Sequence, residues 1–262
     1  MIYNYSKVNP SLFFKPILPP ELRKTVSKTK KRILFLYYLF CCAINKSFLF
    51  QNLMADFDKL HIGCGDVRMP NYLNVDFRAT KATDIIHDCA NLDIFPSCTF
   101  SVIFASAFFE HLYRKQNIAF LKSALRILKP EGKIVIVGIP DFKRVAQAYL
   151  KREEGIVSEK FDLYNVYRYT HGDPEQYPDW WLQQLHKSLF DQKTIVSLLS
   201  ESGFRKFYIF RYCFGKEKIP LSLGFLAFNK APPQEYTISR LKKLLSTFGA
   251  KINLKTVEIL DN

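Results

Sequence analysis

Two glycines, one residue apart, interrupt a short apolar run in "KLHIGCGD" at residues 59–66, and an acid comes directly after them. Glycines just past a strand let the backbone turn sharply and let a ligand approach without a Cβ in the way. A Gly-x-Gly alone is a weak signal, because an ordinary tight turn uses the same residues. The choice between a ligand-binding loop and a simple turn therefore depends on the residues further along the chain.

Two acidic residues stand where the next strands are predicted to end. Asp76 ends "LNVD", where an acid after a second strand can accept hydrogen bonds from ribose hydroxyls. Asp88, in "IIHDCANL", could accept a hydrogen bond from an exocyclic amino group, with the backbone around Cys89 shaping an adenine slot. Ser106, just after the following strand candidate, completes the candidate cofactor-binding residues. Either acid could instead be a helix cap or a turn residue.

Apolar strand patterns alternate with helical patterns from Asp58 to about Phe228, which predicts an α/β fold with a parallel sheet. Seven strands are predicted, at 59–62, 72–76, 83–86, 100–105, 133–138, 204–211 and 222–228. Helices are predicted at 114–129, 141–151 and 191–202. The last two strands have no helix between them, so they are expected to pair antiparallel.

The order of Gly-Cys-Gly, Asp76 and Asp88, then "FPSCTFSVIFASAFFEHL" and "ALRILKPEGKIVIV", resembles the class I S-adenosylmethionine-dependent methyltransferases over about residues 58–228. The resemblance implies a Rossmann-like, seven-stranded, mostly parallel sheet whose last strand is antiparallel. It also implies S-adenosylmethionine as cofactor, with its ribose held by Asp76, its adenine near Asp88, and its methionine part held by the loop Gly63, Cys64 and Gly65. Only residues 67–72 separate this loop from the second strand, so the usual first helix is expected to be reduced to a turn.

Within that family, "GD…NYLNVDF", "EHL", "IPD" and "LHKSLFD…LLSESGF" resemble a subgroup often found in bacterial surface-polysaccharide and lipopolysaccharide biosynthesis. The resemblance implies O-methylation of a sugar, a glycan or another small-molecule acceptor.

A hydroxyl acceptor is a poor nucleophile, so a base is expected at the carboxyl edge of the sheet, where open α/β folds place their sites. The candidates are His186 in "LHKS", the pair Glu110-His111 in "EHL" and Asp141 in "GIPD", with His171 in "THGD" as a fourth. Histidine titrates near neutral pH and is the natural base. Structural alternatives exist, because His111 and Asp141 could cap helices and His171 could be a loop residue. His186 is favoured by the resemblance alone.

An aromatic, irregular stretch at 152–190 is expected to form an insertion over the site. Its rings suit sugar faces and also nucleobases, and a lid that packs on the sheet is the alternative. These rings are Tyr164, Tyr167, Tyr169, Tyr177, Trp180 and Trp181. The insertion interrupts a methyltransferase domain at 56–230, which lies between an N-terminal helical arm at 1–55 and a C-terminal tail at 231–262.

The N-terminal arm is basic at first and then apolar. The segment "ILFLYYLFCCAI" at 33–44 is apolar on every side, yet it is shorter than the roughly 20 residues that span a bilayer as a helix. It is expected either to be buried against the core or to lie at a membrane interface. Residues 20–50 could therefore contact an anionic membrane from the cytoplasmic side.

The net charge of +14 favours anionic partners. Because more than half of this excess lies in residues 1–50, nucleic acid is a less expected partner than a glycan or small molecule. Two alternatives stay open, an RNA methyltransferase and a catalytically inactive, membrane-associated scaffold of the same fold. The scattered cysteines indicate reduced thiols in the cytoplasm. The histidines are well separated in sequence, which predicts no metal site.

Overall fold

The computed structural model describes residues 56–154, 160–172, 184–232 and 234–261. The chain divides into two compact units, Met1–Asp56 and Phe57–Asn262, and nearly all of the description concerns the second. The predicted arm at 1–55 with its membrane-contact segment lies outside the described residues, as do Tyr177, Trp180 and Trp181. None of the helices in the described ranges has the length and apolarity needed to cross a membrane.

Eight strands in the described residues form one mixed sheet in the order β3-β2-β1-β4-β5-β7-β6-β8. They are β1 (Lys59–Ile62), β2 (Leu73–Asp76), β3 (Ile85–Ile86), β4 (Phe100–Ser106), β5 (Leu128–Pro140), β6 (Lys206–Phe214), β7 (Ser222–Phe228) and β8 (Ile252–Leu260). The first five strands pair in parallel. β7 is antiparallel to both β5 and β6. The predicted α/β class and the antiparallel seventh strand are confirmed.

Five α-helices accompany these strands within the described ranges. They are α1 (Arg114–Ile127), α2 (Phe142–Lys151), α3 (Leu163–His171), α4 (Gln192–Glu201) and α5 (Ile238–Ser246). An aspartate caps the start of three of them by accepting a hydrogen bond from a backbone N–H, namely Asp141 for α2, Asp162 for α3 and Asp191 for α4. Such caps satisfy backbone donors that have no partner inside the helix.

The connection from β1 to β2 contains no helix, as predicted. Residues 63–72 form a loop with turns, in which the Val67 N–H donates to the Cys64 carbonyl at 2.9 Å. A ligand at this edge of the sheet would therefore meet loop backbone rather than the N-terminus of a long helix.

The predicted count of seven strands is wrong by one, because the predicted tail contributes β8. β8 pairs antiparallel with β6 at the edge of the sheet. α5 precedes it and buries Leu241 and Leu245 in the cluster that also contains Val257 of β8. Most of β8 is only partly buried, and Lys255 and Glu258 are exposed. Charged residues are common on edge strands, and they weaken the apolar pattern by which a strand is recognised.

The insertion, predicted to be irregular, contains α3 in its described part. Phe161, directly before the α3 cap, is fully buried and packs with Val145 and Ala148 of α2 and with Leu221. This packing fixes α3 beside the end of the sheet at which β4 and β5 finish.

Candidate active site

The loop after β1 is shaped by two glycines in the left-handed region. Gly63 has a φ of 63° and Gly65 a φ of 55°, which other residues adopt only with strain. A Cβ on Gly63 would also lie 2.9 Å from Cδ2 of Phe108, the second residue after the end of β4. The loop is thus a close-packed backbone turn against the β4 end, and it fits a ligand that is bound through main-chain groups.

Asp76 holds this loop to the end of β2. Its carboxylate is buried and accepts a hydrogen bond from the Gly65 N–H at 2.7 Å and another from the Arg78 N–H at 2.8 Å. The Arg78 Nε lies 3.4 Å from the same carboxylate. A carboxylate offers about four acceptor positions, so it can hold the loop and still accept from a ligand hydroxyl. Asp76 therefore fits the predicted ribose-binding role.

The two predicted cofactor cysteines are buried thiols. Burial raises the pKa of the Cys64 thiol to about 11, and it raises that of Cys89 still further. The Cys64 N–H donates to the Val75 carbonyl at 3.1 Å, within the β1–β2 junction. The Cys89 sulfur lies 3.5 Å from the same carbonyl. Both side chains pack the floor of the loop, and neither supplies a thiolate at neutral pH.

The last two predicted cofactor residues also lie at strand ends. Asp88 is exposed after β3, and its carboxylate accepts from the Ala90 N–H at 3.0 Å, which leaves acceptor capacity for an amino group. Ser106 is the last residue of β4 and precedes Ala107, which has a φ of 49°. The predicted cofactor residues thus surround one end of the sheet, at the carboxyl ends of β1 to β4.

Glu110, His111 and His186 meet next to this edge. Glu110 and His111 belong to a 3-10 helix, Phe109–His111, that begins shortly after β4. His186 comes from the segment between α3 and α4. One potential ligand atom from each side chain lies within 4.8 Å of the others, and His111 Nε2 is 3.8 Å from Glu110 Oε1. We refer to these three residues as the histidine–glutamate cluster.

Both histidines of the cluster are oriented by main-chain carbonyls. His111 Nδ1 lies 3.1 Å from the Leu185 carbonyl, and His186 Nδ1 lies 2.9 Å from the Tyr169 carbonyl. A carbonyl only accepts, so each Nδ1 carries the proton and each Nε2 presents a lone pair. Burial lowers the pKa of His111 to about 4 and also lowers that of His186. At neutral pH both rings are therefore neutral and able to accept a proton or to bind a cation.

Glu110 is buried beside these rings, with its side chain 3% exposed. Its Oε2 has no hydrogen-bond partner within the described part of the chain. Burial raises the pKa of this carboxyl to about 8. An unpaired buried carboxyl is costly, so its place at the site of two oriented imidazoles indicates a functional demand.

Two other predicted bases are not members of the cluster. Asp141 is 1% exposed; its Oδ2 accepts from Arg211 Nε at 2.8 Å, and its Oδ1 accepts from the Arg144 N–H at 3.3 Å. This carboxylate pairs with a cation and caps α2, so the geometry favours the structural alternative. His171 ends α3, with Nδ1 2.8 Å from the Thr170 hydroxyl. Its backbone carbonyl accepts from the His186 N–H at 3.2 Å, so it borders the cluster.

Aromatic side chains line one face of α3. Tyr164 and Tyr167 are stacked with ring centroids 6.4 Å apart, and Tyr167 stacks on His171 at 5.0 Å. Their spacing of three and four residues puts them on the same side of the helix. Both tyrosines remain well exposed. We refer to Tyr164, Tyr167 and His171 as the α3 stripe; its flat rings have polar edges, and the carbonyl of its last member, His171, accepts from the His186 N–H.

Phe108 is the site residue that the sequence analysis missed, and Glu110 was predicted only together with His111, as the pair that follows β4. A charged residue inside the apolar run "FASAFFEHL" was the available signal for Glu110. The contact of Phe108 with Gly63 depends on the pairing of β1 with β4, which cannot be predicted from the residues around either position.

The part of the chain that carries this edge matches a known family. Residues 60–136, from β1 to within β5, match the family model described as a methyltransferase domain. No curated protein sequence matches the chain.

Several solved structures share a remote likeness. A methyltransferase from Thermotoga maritima, described as S-adenosylmethionine-dependent and as a possible histamine N-methyltransferase, is 15% identical, with a TM-score of 0.44 over 76% of this chain and 97% of that one. One from Archaeoglobus fulgidus is 17% identical, with a TM-score of 0.45 over 73% and 99%. One from Clostridium acetobutylicum is 12% identical, with a TM-score of 0.42 over 75% and 100%.

The matched residues 60–136 contain the glycine loop, Asp76, Asp88 and the β4 end, which are the residues expected to hold the cofactor. The family match thus confirms two predictions made from the sequence: the chain is an enzyme, and it is a methyltransferase that uses S-adenosylmethionine.

Proposed function

We propose that this methyltransferase acts on a hydroxyl group of a sugar or glycan, and that the hydroxyl docks at the histidine–glutamate cluster. The observation that carries the proposal is the pair of neutral imidazoles, His111 and His186, held at the carboxyl end of β4 with Nε2 unprotonated. Open α/β folds bind their substrates at this end of the sheet.

S-adenosylmethionine, when bound, supplies an electrophilic methyl group on a sulfonium. The residues of this chain must then place the acceptor oxygen and remove its proton. The cluster is suited to proton removal because its two imidazoles are neutral at physiological pH and fixed by carbonyl groups. The removal of the hydroxyl proton at such a site contributes typically about 100-fold to 10,000-fold to a rate.

The cluster and the cofactor loop are joined by short stretches of chain. Phe108 packs on Gly63, and Glu110 lies two residues beyond Phe108. The Glu110 carbonyl accepts hydrogen bonds from the Lys187 N–H at 2.8 Å and the Ser188 N–H at 3.3 Å. These contacts tie the segment that carries His186 to the end of β4. An acceptor bound at the cluster would therefore lie beside the glycine loop.

The α3 stripe supports a sugar as the acceptor. Tyrosine rings present an apolar face and a polar edge, which suits the alternating faces and hydroxyls of a pyranose. Tyr164 and Tyr167 are exposed and stacked in line with His171, whose carbonyl binds the His186 N–H. A sugar stacked on this stripe would extend toward His186.

We further propose that the acceptor belongs to a cell-surface polysaccharide or lipopolysaccharide and is met at the membrane. The support is the sequence resemblance and the arm at 20–50, whose basic run precedes an apolar one. Such a segment would attract anionic headgroups and insert its apolar side at the interface. Pelleting with anionic liposomes should therefore fall when residues 1–50 are removed, and unchanged partitioning would refute the membrane role.

The acceptor is tested by incubating the full chain with methyl-labelled S-adenosylmethionine and separate fractions of nucleotide sugars, lipid-linked glycans and RNA. We expect the label in a glycan fraction, released as a methyl ether on hydrolysis. Label in RNA alone, or in no fraction while the chain binds the cofactor, would overturn the proposed acceptor.

A further inference from the structure

We propose that Glu110, His111 and His186 form a binding site for one divalent cation of the zinc type. The cation would be held by two imidazole nitrogens and one carboxylate oxygen, and its open position would take the acceptor hydroxyl. The cation site is inferred from the cluster alone, and only the identity of the ligand in the open position rests on the proposed function.

The three ligand atoms are slightly further apart than the ligands of a bound zinc ion. They lie within 4.8 Å of one another, and His111 Nε2 is 3.8 Å from Glu110 Oε1. Ligands around a tetrahedral zinc with bonds of about 2.0–2.2 Å lie roughly 3.5 Å apart. A movement of about 1 Å by these side chains would therefore bring the three atoms to that spacing. Small rotations about the χ angles of the side chains can supply such a movement.

The hydrogen bonds of the two histidines match those of metal ligands. A histidine that binds a metal through one nitrogen nearly always donates its other N–H to a carbonyl or carboxylate. Both rings do this here, His111 to the Leu185 carbonyl and His186 to the Tyr169 carbonyl. His111 Nε2 is thereby left to face Glu110, and His186 Nε2 is left with a free lone pair.

Glu110 provides the second, independent observation. Its side chain is 3% exposed, and its Oε2 has no partner among the described residues. Within those residues, its Oε1 is near His111 Nε2, an atom that also lacks a proton in this tautomer. At 3.8 Å the two atoms are too far apart for a hydrogen bond in the metal-free chain, whereas a cation between them would satisfy both.

The ligand set selects the class of cation. Imidazole nitrogens suit zinc and neighbouring first-row metals, whereas magnesium and calcium prefer oxygen. Two histidines and one glutamate form a three-ligand set of the kind found in catalytic zinc sites, which keep a further position open. Both histidines are partly exposed, so that position can be reached from solvent. A hydroxyl bound there would lose its proton more easily. With the cation present the two imidazoles are its ligands and not the base, so the O–H bond breaks, the electron pair stays on oxygen, and the proton passes to water.

Within the described ranges, the two neighbouring side chains Lys187 and His171 do not occupy the proposed position. The Lys187 ammonium lies over the Tyr113 ring, 5.5 Å from its centroid, and it is attracted by Asp88. His171 Nδ1 is near the Thr170 hydroxyl.

The test uses the full chain, stripped with chelator and titrated with zinc alone against a chromophoric chelator. We expect one zinc per chain. Affinity should fall more than about 100-fold in Glu110→Gln, His111→Ala and His186→Ala, since even changes behind a ligand cost about 10–100-fold. His171→Ala, which alters the neighbouring histidine, should keep the wild-type affinity. Thermal unfolding without metal shows whether each variant is folded, and Glu110→Gln preserves the shape of the side chain.

Cobalt replaces zinc in a second measurement, because its spectrum shows whether cysteine thiolates bind the metal. Thiolate binding is the alternative to exclude, since Cys98 is exposed and Cys41 and Cys42 are adjacent in sequence. We expect a visible spectrum without thiolate charge-transfer bands. No stoichiometric binding, binding of equal strength in folded Glu110→Gln, or a thiolate spectrum would overturn the cation site. These measurements need neither cofactor nor acceptor. A chain that binds zinc but labels no glycan would refute only the proposed function. A chain that binds zinc yet labels glycans at full rate in chelator would refute only the acceptor hydroxyl as the ligand in the open position.

Discussion

The imidazole rings of His111 and His186 meet edge to face, with centroids 5.1 Å apart and planes inclined by 66°. One ring is carried by the chain that leaves β4, and the other by the segment that leads from the insertion to α4. Their contact joins the cofactor edge of the sheet to the α3 stripe. The chemistry proposed for this enzyme depends on that junction.

Asp76→Ala should weaken cofactor binding by about 1–3 kcal/mol, because hydrogen bonds to a charged acceptor are lost together with the support of the Gly65 N–H. The measurement is a calorimetric titration with S-adenosylhomocysteine. Asp66→Ala removes a carboxylate from the same loop, but that side chain is 80% exposed, so its effect should be small. Equal losses in the two variants would contradict a specific role for Asp76.

Gly63→Ala should destabilise the fold more than Gly215→Ala. Both glycines have a φ near 60°, so alanine costs about 1–2 kcal/mol at either place. A Cβ at 63 would also meet Phe108 at 2.9 Å, whereas nothing lies within 4 Å of one at 215. Urea unfolding of both variants measures the difference. Equal destabilisation would show that Phe108 does not pack tightly on the loop.

Glu110→Gln should stabilise the metal-free chain increasingly as the pH rises. Burial raises the pKa of Glu110 from 4.5 to about 8, so the folded chain holds a proton that the unfolded chain has lost. The stability of the wild type therefore falls between about pH 4.5 and 8 through this group, and glutamine removes the fall. Thermal unfolding in chelator, at several pH values, gives the comparison.

Glu153→Gln is the control for that series. The hydrogen bond from Arg144 lowers the pKa of Glu153, so its contribution has the opposite sign and is present at neutral pH. This variant should lose stability relative to wild type at pH 7 and not at pH 3. A Glu110→Gln variant that behaves in the same way would contradict a buried, protonated carboxyl.

Asp141→Asn should lower stability by about 1–3 kcal/mol and leave methyl transfer within about threefold of wild type. Its carboxylate is paired with Arg211 and caps α2, and one partner of a buried pair is costly to remove. Arg211→Met, which breaks the same pair from the other side, should resemble it. A large loss of turnover in a stable Asp141→Asn chain would restore Asp141 as a base.

Tyr167→Ala should raise the KM for the glycan acceptor about tenfold and leave cofactor affinity unchanged, because it removes a ring of the α3 stripe. Tyr167→Phe keeps the ring and should retain most of the affinity. Initial rates at varied acceptor concentration separate the two variants. An unchanged KM in Tyr167→Ala would show that the sugar does not stack there.

The sequence predicted the ends of β1 and β2 well because their determinants are local. A short apolar run followed by Gly63 and Gly65 marks the end of β1, and Asp76 marks the end of β2. The cluster could be predicted only as separate candidates, since His111 and His186 are brought together by hydrogen bonds of Lys187 and Ser188 to Glu110. The expectation of no metal site rested on the sequence distance between the histidines, which says nothing about residues that the fold brings together.

Two further differences have physical causes that a single sequence hides. A helix cap and a catalytic base could both stand at the position of Asp141, directly before a helix. The contact of Asp141 with Arg211, which the sequence does not reveal, favours the cap. β8 is an edge strand with an irregular pairing near Arg211 and Cys213, so its apolar residues do not alternate strictly.

The most direct test of the account is the single-turnover rate of methyl transfer to the labelled glycan by His186→Ala, with saturating cofactor. Cofactor affinity should be unchanged, and the rate should fall about 100-fold or more, while His171→Ala retains at least about a third of the wild-type rate. A folded His186→Ala enzyme that transfers at full rate would show that the acceptor hydroxyl is not activated at this cluster.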